Sequence, residues 1–408
     1  MGAEPRCLPG TAREPPRLEV ADILRAHGEA YASRHAVSIE QRRAMRDILR
    51  CRTAALGGHL DVCTTCGEER PAYNSCRNRH CPKCQALPQA RWVEQQMERV
   101  LPVKCFHVVF TLPAELRPFA RRHGRDLYEL LLHSASSTLL TLGRDPKWLG
   151  AQLGITTVLH TWARDLTLHP HAHCIVTAGG LSLDGARWVD TERDFLFPLA
   201  VLAKLFRGKF LAGLTRSRRT HAVGRHLSSD AFETLVDNLY KTDWNVYAKA
   251  PFAGPTQVFR YLGQYTHRVG ISNHRLQRLD ARGVTFRTRG ADTVTLDAER
   301  FIERFLAHVL PFRFVKIRHS GLMANGGAVL QRERARALLV ARHPAPRGAD
   351  EPVRVVDAHW QHALEILTGI DLGVCRRCGR HTVVRQPLPP PTHGPVRARA
   401  PPTREVAA

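Results

Sequence analysis

The segment LHPHAHCIVTA, Leu168 to Ala178, is closed by Gly179-Gly180 and reads as a β-strand. Alternate side chains of a strand share a face, so His171 and His173 point the same way, about 6–7 Å apart along the backbone. His169 has the same parity, but Pro170 and the strand start leave its direction open. Upstream, ITTVLHTW reads as another strand, and its His160 lies eleven residues before His171. That spacing suits an antiparallel partner reached by a short turn through Ala163 to Thr167. Three imidazoles on neighbouring strands hold one cation and leave positions open for a phosphate oxygen, as polarising a phosphodiester requires. A lone histidine here would be structural more often than not, and three can also form a closed site. The functional reading rests on the whole constellation.

Outward from this segment, CFHVVFTL from Cys105 reads as a buried strand and residues 115–142 as helices. A basic segment of helical spacing, 201–226, carries the cluster Arg216, Arg218 and Arg219. Residues 256–268 read as a helix after Gly254-Pro255, and 283–320 alternate strand and helix, ending in the strand-like RFVKIRH. At the start, Leu18, Val20, Ile23 and Leu24 form one apolar helical stripe, and Ser38 is a good N-cap for a second helix carrying Met45, Ile48 and Leu49. A further helix spans roughly Gln85 to Val100, with Pro102 marking the boundary. The Pro- and Arg-rich tail is expected to be disordered.

The fold class is therefore α+β, a core of antiparallel strands with helices behind an N-terminal helical and zinc-binding module. We divide the chain into a helical segment (1–55), a zinc module with its following helix (56–100), a catalytic domain (101–275), an α+β extension (276–375) and the tail (376–408).

Cys63-Thr-Thr-Cys66 and Cys81-Pro-Lys-Cys84 are two C-x-x-C pairs with a short connector, and they are expected to share one tetrahedral zinc. Residues 57–84 hold too few apolar side chains for a core of their own, so the segment needs a metal. His59, Cys76 and His80 are further candidate ligands, for a second site or for exchange into the first. Cys375-Arg-Arg-Cys378, followed by His381, is either half of a second zinc site or an orphan turn in the tail. Cys7, Cys51, Cys105 and Cys174 read as isolated small hydrophobes. Arg70, Arg77, Arg79 and Lys83 suit the module to nucleic acid, while four thiolates leave no position for a reactive water.

The 408 residues carry 60 Lys and Arg against 37 Asp and Glu, a formal charge of +23, which attracts a polyanion through phosphate contacts and counterion release. No amphipathic basic helix or lipidation signal points to a membrane surface, and no run of about 18 apolar residues spans a bilayer. There is no secretory signal, so the expected compartment is the cytoplasm. There, clustered cysteines read as metal ligands rather than disulfides.

Tyr261-Leu-Gly-Gln-Tyr265-Thr-His-Arg268 falls on the helix expected at 256–268. Residues i and i+4 share a helical face, which puts the two phenols about 5–6 Å apart at Cβ. A phenol with a pKa near 10 needs a metal, a base or cations to act as a nucleophile, and Arg260, His267 and Arg268 supply cations. Alone, such a pair is usually half-buried packing. With the histidines and the basic excess it points to transesterification on DNA.

HPHAHCIV resembles the His-hydrophobic-His motif of the HUH endonucleases, and YLGQYTHRVGISNHRL resembles the nucleophile helix of their two-tyrosine branch. With NSCRNRHCPKCQ ahead of both, the chain resembles the rolling-circle transposases of the insertion sequence ninety-one family, from roughly Ala21 through Met323. The resemblance implies an HUH-endonuclease-like core, with His171 and His173 as metal ligands and Tyr261 and Tyr265 as nucleophiles. It implies cleavage of single-stranded DNA at a transposon end, leaving a 5′-phosphotyrosine and a 3′-OH that primes host replication. The implied catalytic metal is Mg²⁺ or Mn²⁺, although three imidazoles alone favour zinc. Ala172 between the histidines is smaller than the family's usual branched aliphatic. Arg77, Arg79, Lys83 and Arg268, with the arginine cluster at 216–219 and the strand Arg313–Arg318, are candidate DNA contacts. The competing reading is a non-catalytic zinc-ribbon DNA-binding regulator, which leaves the histidines and tyrosines without a role. A water-using metal hydrolase lacks a carboxylate base, since Asp165 lies in the presumed turn.

Overall fold

The computed structural model describes residues 18–191, 196–220, 223–252, 270–342, 362–363, 365–366 and 369–391. Its elements in chain order begin with α1 (Val20–Arg34), α2 (Ile39–Arg50), β1 (Gly58–Cys63), β2 (Glu69–Tyr73) and α3 (Ala86–Arg99). Then come β3 (Cys105–Thr111), α4 (Arg117–Arg122), α5 (Gly124–Arg144), β4 (Ala151–Trp162), β5 (Leu168–Ser182) and β6 (Trp188–Asp190). Next are α6 (Leu199–Thr220), α7 (Ser229–Lys241), β7 (Val246–Phe252), β8 (Leu276–Asp280), β9 (Gly283–Arg287) and β10 (Thr293–Leu296). The last are α8 (Ala298–Leu306), β11 (Ile317–Gly321), α9 (Ala328–Arg342) and β12 (Val383–Leu388). Every strand pairing among the described residues is antiparallel.

Ser38 starts α2 as its type predicts: its hydroxyl accepts from the Gln41 N–H (3.2 Å) while Gln41 Oε1 accepts from the Ser38 N–H (2.9 Å). The large sheet runs β11-β4-β5-β3-β7, with β6 paired to β5. Strand alternation decides its faces. Phe106, Val108 and Phe110 of β3, Leu153, Ile155 and Leu159 of β4, and Ala172, Cys174 and Val176 of β5 join the main apolar cluster with α5 and α6. The opposite parity carries the histidines. Part of that second face is closed by α3, whose Trp92 and Val93 pack on Cys105, Val158 and Ile175.

A second core joins the N-terminal helices to the segment from Ile271 to Leu306. Ile23 and Leu24 of α1 and Met45 and Ile48 of α2 pack with Phe286 of β9 and Phe301 and Phe305 of α8. A small outer sheet, β12-β1-β2, lies apart from both. It corrects the expectation of a wholly disordered tail, because β12 pairs with β1 over its full length, Val383 opposite Cys63 through Leu388 opposite Gly58. Its β-branched start favours a strand, and Pro387 is tolerated at a sheet edge. The strand expected in RFVKIRH starts only at Ile317.

Candidate metal centres

The turn between β4 and β5 sets the register of the histidines. The Ala163 N–H donates to Thr167 O (2.9 Å), Leu166 adopts φ 65°, and the Asp165 carboxylate accepts from the Thr167 N–H (3.0 Å) and hydroxyl (2.6 Å). Arg304 of α8 reaches the same carboxylate at 3.4 Å. His160 then falls opposite His171, and Val158 opposite His173. One ring nitrogen from each of His160, His171 and His173 lies within 4.8 Å of the others. Ring centroids are 5.4 Å apart for His160–His171, 4.4 Å for His160–His173 and 4.9 Å for His171–His173.

Neighbouring groups hold these rings in place. Nδ1–H of His171 can donate to the His169 carbonyl (2.7 Å), which leaves Nε2 for a cation. His107 of β3, absent from the sequence reading, places Nε2 2.8 Å from His173 Nδ1, with the rings stacked at 5.0 Å. Trp162 stacks on His160 at 4.8 Å. Burial pushes His171 and His107 down to about 4, so both are neutral at pH 7, the form that ligates. No carboxylate joins the triad among the described residues. Three neutral ligands suit a divalent cation and leave its charge uncompensated, so the natural completing ligands are anionic oxygens such as those of a phosphate.

The cysteines assemble differently from expectation. Cys63 and Cys66 group with Cys375 and Cys378, while Cys81 and Cys84 group with Cys51 and Cys76. In the first set Sγ–Sγ distances are 3.6 Å for Cys63–Cys378 and 3.7 Å for Cys66–Cys375. In the second they are 3.1 Å for Cys51–Cys84 and 3.7 Å for Cys76–Cys84. Sharing of one zinc by the two upstream pairs thus gives way to two separate sets. Cys51, read as an isolated hydrophobe, belongs to one of them, as does Cys76. His59 and His80 join neither: His59 lies 3.8 Å from Asp61, and the half-buried His80 Nε2 accepts from the Leu310 N–H (3.4 Å).

Several candidate DNA contacts turn inward. Arg79 donates to Phe314 O (2.7 Å) and Pro311 O (3.0 Å), and Lys83 pairs with Glu19 at 2.7 Å. Arg218 donates to Gly224 O (2.6 Å) and Leu227 O (3.1 Å). These three fasten the chain to itself, whereas Arg77, Arg216 and Arg219 remain exposed. Tyr261, Tyr265, Arg268 and the helix expected around them lie outside the described residues.

The chain thus sets a cysteine-rich module ahead of a sheet with a histidine triad, and comparison with known proteins gives its class, a DNA transposase. Residues 23–112 match the family described as "Transposase zinc-binding domain", and residues 154–329 the family described as "Putative transposase". The chain is 42% identical over 373 residues to "Putative transposase y4qJ" of Sinorhizobium fredii, covering 88% of this chain and 92% of that protein. It is 28% identical over 300 residues to the "Transposase for insertion sequence element IS801" of Pseudomonas savastanoi pv. phaseolicola, covering 68% and 69% of the two chains. No solved structure matches. The chain belongs to the IS91 transposase family. Its zinc-binding domain and cysteine sets support structural zinc. No helix among the described residues is long and apolar enough to cross a membrane.

Proposed function

We propose that this transposase nicks and joins single-stranded DNA at the ends of its element by tyrosine transesterification, in rolling-circle fashion, on an HUH-type core. The observation that carries the reading is the triad: His160 and His171 face each other across β4 and β5, with His173 beside them on the face opposite α5 and α6. His160, His171 and His173 would hold Mg²⁺ or Mn²⁺. When bound, such an ion polarises the scissile phosphate and offsets charge on the departing oxygen.

The chain supplies the rest. Tyr261 or Tyr265 attacks phosphorus through its phenol oxygen, and the phenolic proton leaves to solvent. The P–O bond to the 3′-oxygen breaks, giving a 5′-phosphotyrosine and a free 3′-OH. The second tyrosine then permits strand transfer, and the 3′-OH primes synthesis by the host replication machinery. Gly270, a few residues beyond Tyr265, packs against the turn that sets the triad: a Cβ there would lie 3.1 Å from the His308 ring and 3.2 Å from Leu166. Cys51, Cys76, Cys81 and Cys84, all inside the matched zinc-binding domain, would hold its structural zinc. Arg77 and the other exposed basic residues would follow the DNA backbone.

Incubation with a labelled single strand carrying the element end, in Mn²⁺, should give a covalent protein–DNA adduct. Tyr261→Phe with Tyr265→Phe should abolish it, and an adduct that survives the double substitution refutes the nucleophiles. The non-catalytic regulator is not favoured; DNA binding with no metal-dependent nicking would restore it.

A further inference from the structure

Two turns at opposite ends of the described chain share one backbone geometry. In Cys63-Thr-Thr-Cys66-Gly67 the Gly67 N–H donates to Cys63 O (3.0 Å), and the Cys63 N–H donates to Glu68 O (2.9 Å). In Cys375-Arg-Arg-Cys378-Gly379 the Gly379 N–H donates to Cys375 O (2.8 Å), and the Cys375 N–H donates to Arg380 O (2.8 Å). Both end on a left-handed glycine, φ 70° at Gly67 and 69° at Gly379, where a Cβ is unfavourable. The pair Cys81-Pro-Lys-Cys84 is followed by Gln85 and closes instead with a Cys84 N–H to Cys81 O bond of 3.4 Å. The two matching turns meet across β1 and β12, where the Thr64 N–H donates to Thr382 O (3.0 Å).

Zn–S bonds of about 2.3 Å in a tetrahedron set sulfur–sulfur edges of roughly 3.8 Å. The Cys63–Cys378 and Cys66–Cys375 separations, 3.6 and 3.7 Å, fall at that spacing. They are far from a disulfide bond of about 2.05 Å. The sheet around them offers little alternative support: β2 runs exposed-exposed-exposed before its last two half-buried residues, and no β12 residue is buried.

We propose that Cys63, Cys66, Cys375 and Cys378 bind a zinc ion of their own, a zinc ribbon split between the two ends of the chain. Only half of its ligands lie in the matched zinc-binding domain, because Cys375 and Cys378 stand far beyond residue 112. This ion clamps β12 onto β1 and closes a loop of 315 residues between Cys63 and Cys378. Its removal frees the C-terminal strand while leaving the two apolar cores intact.

The test uses the full-length zinc-loaded protein. Alkylation with N-ethylmaleimide, read by peptide mass spectrometry, should leave Cys63, Cys66, Cys375 and Cys378 protected together and expose them together as a chelator is titrated in. Zinc content should fall by one equivalent per chain in Cys63→Ser/Cys66→Ser, by the same one in Cys375→Ser/Cys378→Ser, and by no more when the four changes are combined. Prompt alkylation of Cys375 and Cys378 while Cys63 and Cys66 stay protected would overturn the proposal. So would wild-type zinc content in Cys375→Ser/Cys378→Ser, or loss of two equivalents in the combined variant. Because the alkylation pattern is read on the unsubstituted protein, misfolding of a variant leaves the proposal open to refutation.

Discussion

The two four-cysteine sets use the same ligand atoms in opposite settings. The inner set is local, with Cys51 and Cys84 33 residues apart, and it is sunk in the second core: Cys51 and Cys81 are fully buried and pack with Ile48, Phe286 and Phe301. The outer set joins residues 315 apart, and Cys378 is exposed. At the inner site a metal and an apolar core support each other. At the outer site the metal stands in for a core that the small sheet does not have. Identical coordination chemistry should therefore give a global stability element in one place and a detachable clasp in the other.

The largest contrast should come from removing one ligand at the inner site. Cys51→Ser leaves the buried Cys81 and Cys84 and the half-buried Cys76 without their fourth partner at the second core. It should lower stability by more than about 4 kcal/mol, seen as lost soluble yield and an early thermal transition by circular dichroism. The outer pair Cys375→Ser/Cys378→Ser should leave that main transition nearly in place. Equal transitions for the two variants would erase the distinction.

Acid should separate the regions next. His308 bridges the inner side of the molecule, with Nδ1 3.2 Å from Thr161 Oγ1 and Nε2 3.0 Å from Leu166 O, and burial pushes it down to about 4. Its folded pKa lies below the unfolded value of about 6.5, so the unfolded chain takes up a proton first. Its contribution is whole above pH 6.5 and falls as the pH drops towards 4, by roughly 3 kcal/mol for such a shift. Urea unfolding from pH 7 to 4.5 should show this slope, and His308→Gln should reduce it by one group's share, leaving that of His107 and His171.

The third centre offers a smaller effect. His107→Ala removes the group that orients His173 and should weaken Mn²⁺ binding roughly 10–100-fold. Nicking should recover at saturating Mn²⁺, with the zinc content of both cysteine sets unchanged. Failure to recover would place His107 in the chemistry itself.

What the sequence discloses follows how far each feature depends on local geometry. The His160–His171 pairing was legible because a strand has period two and the intervening turn is short. His107 was hidden inside an apolar run, although its parity, opposite to Phe106, Val108 and Phe110, marks it as facing the other way. Cysteine partnership was not legible from proximity: Cys63/Cys66 and Cys81/Cys84 are neighbours in sequence and part company in space. The available signal was the residue after each pair, glycine at 67 and 379 but glutamine at 85. Cys51 carried no signal at all, since it is a single residue at the end of α2 whose role depends on how that helix docks.

The smallest effect belongs to the outer sheet. Asp61 of β1 and Arg385 of β12 lie directly opposite, with Arg385 Nε 2.6 Å from Asp61 Oδ1, and both side chains are about four-fifths covered. A cross-strand ion pair of this kind contributes about 1 kcal/mol or less. Against a clasp held by metal, that is minor. Asp61→Asn should leave zinc content and the main thermal transition unchanged and merely lower the chelator concentration at which Cys375 and Cys378 become reactive, by a few-fold. If instead this one change opens the outer cysteines in the presence of zinc, the strand pairing rather than the metal closes the clasp, and the division between the two cysteine sets rests on the wrong cause.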